Sequence, residues 1–315
     1  MKVSVVVISK DEPALTETLD ALVPLLDGPD GTGELDEVVV VDASAGRLDS
    51  VRDLHPWVKW VPFRPRPDAG VTIPEQRNVG VAEAIGEVVV FTDCGCVPEP
   101  GWLPRLLAPI LEGTEAVTCG RTGSRGRSVY DGTPDGAPVD DGPPPEHVEE
   151  CPTINMAFRR EAFERIGGFD ETFQYGSDID FSWRLTRAGT RIRYVPDAVV
   201  VHDWGDPRRQ KRRAVAYGRA RAHLYRKHPD RILGMLRDDP IVAAYPLFLL
   251  GLPLTLRFRA YPLLLAVPLW RNRGKQPVRV VVDHLWFGFG VLSELGGVGS
   301  VRRSRSRGTG ARVAA

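Results

Sequence analysis

Three short valine-rich runs, each closed by polar residues, constrain this chain more than any other feature. Val3 to Ser9 is almost continuously β-branched, Val38 to Val41 ends at Asp42, and Val88 to Phe91 ends at Thr92-Asp93. Runs this short do not make helices, and apolar side chains at successive positions suit strands buried on both faces of a parallel sheet. Between them the spacing turns helical: Leu15, Leu19, Leu22 and Val23 fall on one face, and Pro74 to Ile85 reads as a helix with Gly86 as its carboxyl-terminal cap. Alternating strand and helix predicts an α/β fold with a doubly wound sheet flanked by helices. Such sheets place ligands beyond the carboxyl ends of their strands. Asp42 and Asp93 are therefore the first candidate site residues.

The pattern continues with a third strand over Trp57 to Phe63, a helix over Trp102 to Leu111 and strands at Ala116 to Cys119 and Asn155 to Phe158. Helices are predicted at Arg160 to Ile166, before Gly167-Gly168, and at Ser177 to Ala188, before Gly189; strands follow at Ile192 to Val195 and Ala198 to Val201. Residues 123–150 are rich in Gly, Pro and Asp and predict a long, mobile surface loop.

After Trp204 the character changes. Residues 207–231 predict a basic helix, whereas 240–256 and 260–270 carry no charge and are separated by Arg257 and Arg259. Neither apolar run reaches the roughly 20 residues of a spanning helix, and Pro246, Pro253, Pro262 and Pro268 would kink one. A re-entrant or interfacial hairpin at a membrane surface is expected, the alternative being a helical pair packed on protein. The last fifteen residues, 301–315, are expected to be disordered.

Charge totals, 41 acidic against 41 basic residues, give no reason to expect nucleic acid as a partner. Their distribution is uneven, and the basic segments 205–231 and 301–312 suggest an anionic partner, either lipid or a phosphate-bearing substrate. The cysteines at 94, 96, 119 and 151 do not form a disulfide framework, and Cys94-x-Cys96 lacks zinc-knuckle spacing. With the amino-terminal run read as a strand rather than a signal peptide, a cytoplasmic location is expected.

Four groups of residues carry the chemistry. Asp42 and Asp93 at strand ends suit a base, a ribose hydroxyl or a metal, or simply cap turns. Arg77-Asn78 precedes the Asp93 strand; Arg77 can neutralise a diphosphate or face solvent. In GSDIDFSWR, Ser177 and Asp180 read as a capping pair and Asp180–Arg184 as i,i+4 partners. That leaves Asp178, beside Phe173 and Tyr175, as a carboxylate able to accept a proton from a hydroxyl. His202 reads as a metal ligand or diphosphate contact, or as a structural histidine. A dinucleotide-dependent oxidoreductase is discarded, because the loop after the first strand reads SKDEPA and not G-x-G-x-x-G.

Together these pieces resemble the family 2 glycosyltransferases, from about Lys2 to Trp204, in order and at suitable spacing. VSVVVISKDE, with Glu12, resembles the family's first strand and nucleotide-base loop. VVVVDAS resembles the strand ending in a base-contacting Asp, QRNVGVAEAIGEVVVFTD the segment before the metal motif, and NMAFRREAFERIGGFDETF the acceptor-side turn. GSDIDFSWRL is similar to the motif with the catalytic base, and VVVHDW to a carboxyl-side histidine segment. The resemblance implies an A-type glycosyltransferase fold with a mixed sheet, and inverting sugar transfer from a nucleotide-sugar to an acceptor hydroxyl. It implies Asp178 as base, and Glu12, Asp42, Arg77, Asn78, Asp93 and Arg184 as donor-binding residues. A Mg²⁺ or Mn²⁺ ion would sit on Asp93 and His202.

Two positions depart from the pattern. Gly95 stands where the second Asp of Asp-x-Asp is usual, which also opens the alternative of a nucleotide-sugar-binding protein without transfer, and Ser177 replaces the usual Glu before the base. The expected organisation is a catalytic domain over 1–204, a basic and hydrophobic helical extension over 205–300, and the tail. The expected acceptor is lipid-linked or part of the cell envelope, and the expected location is the inner face of the cell membrane.

Overall fold

The computed structural model describes residues 1–26, 33–66, 70–124, 144–202, 207–274 and 276–297. In chain order the elements are β1 (Val3–Ser9), α1 (Leu15–Leu22), β2 (Glu37–Asp42), α2 (Asp49–Leu54), β3 (Lys59–Pro62), α3 (Ile73–Glu83), β4 (Val88–Asp93), β5 (Cys96–Pro98), α4 (Trp102–Leu111), β6 (Val117–Ser124), β7 (His147–Val148), β8 (Asn155–Arg159), α5 (Arg160–Arg165), α6 (Ser177–Arg187) and β9 (Ile192–His202). The carboxyl-terminal part is helical: α7 (Pro207–Lys227), α8 (Ile232–Asp238), α9 (Ile241–Leu250), α10 (Ala266–Arg271) and α11 (Pro277–Leu295).

The strands form one mixed sheet in the order β3-β2-β1-β4-β8-β6-β9-β5, with β7 also paired to β9. β3, β2, β1 and β4 run parallel, β8 is antiparallel to β4, and β6 and β9 run parallel to each other. The valine runs behave as their composition requires. Val5 and Val7 enter one apolar core with α1, α2 and α4, while Val6 enters the opposite core with α3, α5 and α6. All three valines are fully buried, so the period of two along the strand feeds both layers at once.

The chain lays β2 and β3 on one side of β1, then returns to place β4 on the other. That reversal is the topological switch point, where a crevice opens beyond the strand ends. Ile8 pairs with Asp93 in the register across it.

Several local expectations need correction. The two predicted strands at 192–195 and 198–201 are one continuous β9, with a register shift in β6 between Gly120 and Arg121. Gly86 is not a left-handed cap: α3 ends at Glu83, and a Cβ on Gly86 would lie 2.6 Å from the Ser4 amide nitrogen, so close backbone approach is what demands glycine. The described ends of the expected 123–150 loop join the sheet through β6 and β7, and 125–143 lie outside the described residues. Asp203-Trp204 and the tail 301–315 also lie outside them.

The carboxyl-terminal helices are locked onto the sheet domain in two ways. Phe173 and Trp183 pack with Leu224, Tyr225, Val242, Phe287 and Val291 in a third apolar cluster. Beneath it, the fully buried Asp180 accepts from Arg184 Nε at 2.8 Å, Lys227 Nζ at 2.6 Å and His228 Nε2 at 2.8 Å. A buried carboxylate is tolerated only when paired in this way. Lys227 also reaches Asp170; burial opposes that charge, but Lys227 and Thr172 prevail and hold the Asp170 pKa at about 2. Asp180→Ala leaves this buried network without its central acceptor and is expected to cost about 3 kcal/mol or more, measured as the loss of unfolding free energy in urea.

Candidate active site

A cavity of about 1020 Å³ opens at the switch point and runs towards the carboxyl-terminal helices. Its sheet-side wall is made by the ends of β1 and β4, with Ser9, Glu12, Asp93 and Gly95, and its opposite wall by the start of α6 with Ser177 and Asp178. Arg77, His202 and, from α7, Arg213 and Tyr217 complete the inner part.

Among the sequence-derived candidates, Glu12, Arg77, Asp93, Asp178 and His202 all line this one cavity. Asn78, Arg184 and Asp42 do not. Asn78 clamps the Gly-Gly-Phe turn, donating from Nδ2 to Phe169 O at 2.9 Å and accepting from the Phe169 amide at 2.9 Å. Arg184 commits all three guanidinium nitrogens, to Asp180 at 2.8 Å, Ile166 O at 2.8 Å and Gly168 O at 2.7 Å. Asp42 caps its turn through a 2.9 Å bond from the Ser44 amide.

Ser177 is the first residue of α6 and not its cap, which is the left-handed Gly176. Its hydroxyl accepts from Arg77 Nη1 at 3.1 Å, and the Arg77 guanidinium lies over the Phe169 ring at 5.5 Å. This cross-link from α3 fixes the helix start that carries Asp178. Asp178 Oδ1 accepts the Ile179 amide at 3.0 Å, which orients the carboxylate at the half-buried first turn.

The turn after β4 is tightly built. Thr18, buried on α1, accepts the Gly95 amide at 2.9 Å and donates to Asp93 O at 3.4 Å. Gly95 has φ +80°, and a Cβ there would meet the Ala14 methyl at 3.3 Å. The Cys94 thiol donates to Ile8 O at 3.3 Å, and burial pushes its pKa well up. Cys96 Sγ stands 3.4 Å from His202 Nδ1, because β5 pairs antiparallel with β9.

Among the described residues no three His, Cys, Asp or Glu side chains cluster to hold a metal ion. The sheet-side wall carries the carboxylates Glu12, Glu17 and Asp93, and His202 lines the same cavity. Oxygen and imidazole donors of this kind suit a Mg²⁺ or Mn²⁺ ion that takes the rest of its shell from phosphate oxygens and water.

Sequence reasoning passed over Tyr217, Arg221, Asp239, Asp283 and His284, all of which line the cavity. Four of them stand on α7 and α11, which read as a basic or apolar appendage and come together on one cavity only by packing; Asp239 lies between α8 and α9. Burial pushes the Tyr217 hydroxyl pKa up, so this group stays neutral beside Arg213.

The Glycosyl transferase family 2 model matches residues 4–167, and the Glycosyl transferase family group 2 model matches 148–286. The pre-mycofactocin glycosyltransferase of Mycobacterium tuberculosis is 33% identical over 191 residues, which cover 56% of this chain and 39% of that protein. The N-acetylglucosaminyl-diphospho-decaprenol L-rhamnosyltransferase of the same organism is 51% identical over 48 residues, 15% of this chain and 16% of its own. The chain thus spans about two fifths of the first relative and less of the second. In fold it is similar to the mannosyltransferase PcManGT from Pyrobaculum calidifontis, solved with GDP-Man and Mn²⁺. The TM-score is 0.67 at 20% identity, over 94% of this chain and 88% of that one.

Gly95→Asp, which restores the usual second carboxylate, forces a side chain into the left-handed region against Ala14. It is expected to destabilise the protein by about 1–2 kcal/mol, read from chemical unfolding against the wild type, with Gly95→Ala showing a loss of similar size.

Proposed function

The chain belongs to glycosyl transferase family 2, and from that premise we propose that it moves a sugar, with inversion, from a nucleotide-sugar donor to an acceptor hydroxyl. The observation that carries the reading is that Asp93 at a strand end and Asp178 at a helix start share one cavity at the switch point. Glu12, Arg77 and Asp93 form the donor side. Asn78 and Arg184 support the wall behind it, and Asp42 shapes the turn after β2.

Asp178 takes the proton from the acceptor hydroxyl, whose oxygen attacks the anomeric carbon on the face opposite the diphosphate. The bond from that carbon to the diphosphate oxygen breaks, and its electron pair leaves with the nucleotide. Negative charge therefore grows on the diphosphate and needs fixed positive partners. Arg213, which lines the cavity beside Tyr217, serves this need. A Mg²⁺ or Mn²⁺ ion held by Asp93 and His202 would supply the same neutralisation. Asp178→Asn is expected to lower kcat by about 10²–10⁴-fold with nucleotide-sugar affinity retained by calorimetry. Near-normal turnover in that variant would remove the base assignment.

The second part of the proposal concerns location. No helix among the described residues is long and apolar enough to cross a membrane. Leu256 is 93% exposed, Leu263 70% and Trp270 66%, so the hairpin between α9 and α11 presents apolar side chains outward. Residues 240–282 hold six Lys or Arg and no Asp or Glu. An apolar face with a basic margin fits an anionic membrane surface, with the Arg and Trp side chains at its interface. Sedimentation with phosphatidylglycerol vesicles is expected to carry the protein down. Changing Arg257, Arg259, Arg271 and Arg273 to Gln is expected to lower that partition more than about tenfold, at roughly 1 kcal/mol per basic residue.

A further inference from the structure

The cavity does not end at Asp178. A second arm continues between α7, α9 and α11, lined by Tyr175, Tyr217, Arg221, Asp239, Asp283 and His284. The two tyrosine rings meet edge to face, 5.5 Å apart and at 88°. The donor side at the strand ends makes no use of these residues.

The cations in the arm are matched by carboxylates. Arg221 lies 3.3 Å from Asp239 Oδ2 and 3.5 Å from Glu150 Oε1, and Arg279 Nε lies 3.9 Å from Asp283 Oδ2. Asp283 is only 4% exposed, and burial pushes the Asp239 carboxyl pKa up against the pull of Arg221. Such a wall gives a polyanion no net attraction. Carboxylates and guanidinium at fixed positions instead accept from and donate to neutral hydroxyls. A tyrosine ring adds a flat apolar surface with a polar tip. Apolar face and hydroxyl edge together are the surface of a pyranose.

The arm's outer end meets the apolar hairpin. α9 begins at the cavity wall with Ile241 and carries Leu247 and Leu250, which are 66% and 63% exposed. At about 1.5 Å per residue, Leu247 is only about 9 Å along the helix from Ile241. A ligand in the arm therefore has an apolar, acid-free surface within reach of its far end.

We infer that this arm seats the sugar headgroup of a lipid-borne acceptor, its ring on Tyr217 and its hydroxyls on Asp239 and Asp283, with the lipid chain running out along α9 to the hairpin. The inference rests on the transferase reading, since the seated sugar supplies the hydroxyl that Asp178 deprotonates.

Saturation-transfer NMR on the full chain, without nucleotide, tests it with methyl and octyl glycosides of glucose, mannose, galactose and N-acetylglucosamine. Ring protons of at least one sugar are expected to saturate, with the octyl form bound at least about tenfold more tightly than the methyl form, a 1.4 kcal/mol difference. Tyr217→Ala and Asp283→Asn are each expected to abolish ring saturation, while Tyr217→Phe retains it; unfolding midpoints close to wild type show that the variants are folded. Saturation confined to the octyl chain, none from any sugar, or no change in the two variants overturns the inference. Equal binding of methyl and octyl forms overturns its lipid-borne half. If ring saturation stands while the wild-type protein neither binds nor turns over any nucleotide-sugar, the transferase reading fails and the sugar-binding arm remains.

Discussion

One buried carboxylate holds the two halves of this molecule in register. Asp180 is inaccessible to solvent, and an ionised group there exists only because Arg184, Lys227 and His228 all point at it. Those partners come from α6 itself and from the far end of α7, so the start of α6 is positioned by the carboxyl-terminal helices as well as by the sheet. Arg184 extends the network to the carbonyls of Ile166 and Gly168, and Asn78 grips the same turn from the other side. Asp178, two residues before Asp180, inherits its place from this arrangement. The base proposed at Asp178 needs such fixed placement, because a shift of about 1 Å is enough to cost a large part of the rate.

The sheet was legible in the sequence because its cause is local. Val3 to Ser9, Val38 to Val41 and Val88 to Phe91 are buried on both faces, and a run buried on both faces has one composition wherever it occurs. That Asp93 and Asp178 would come to one cavity was legible for a related reason: each stands at the end of an element whose type was already clear, whereas Arg77 reaches it from within α3. The Asp180–Arg184 pair was legible as i,i+4 partners, but the bonds of Arg184 to Ile166 and Gly168 and of Asn78 to Phe169 were not, since they answer backbone groups of a turn that is distant in sequence. Nor were β5 and β7, which are too short to show a period and exist only because β9 offers a ladder edge. Tyr217 and Asp283 were hidden by their surroundings, one among arginines and one beside valines, until two helices packed and turned them inward.

Gly95 is best understood through its backbone. The turn after β4 is stapled by Thr18 at two points and takes a left-handed conformation against Ala14. The turn that brings β5 back to pair with β9 therefore takes a second acidic side chain at 95 only in a left-handed conformation pressed on Ala14. The same pairing carries Cys96 up to His202. A missing carboxylate and a nearby imidazole are thus two results of one turn, with the imidazole brought to the cavity by the strand that the turn creates.

Two glycines set a dimension of the molecule. A Cβ on Gly218 would lie 2.0 Å from Phe287 O, and one on Gly290 would lie 2.2 Å from Val215 O, so α7 and α11 touch backbone to backbone. One of these helices carries Tyr217 and Arg221, the other Asp283 and His284. The bore of the passage between them is therefore gauged by two hydrogen atoms, at positions that contact no substrate. A methyl group at either would pry the helices apart and widen the passage without altering its lining. Which molecules pass would then change by calibre alone.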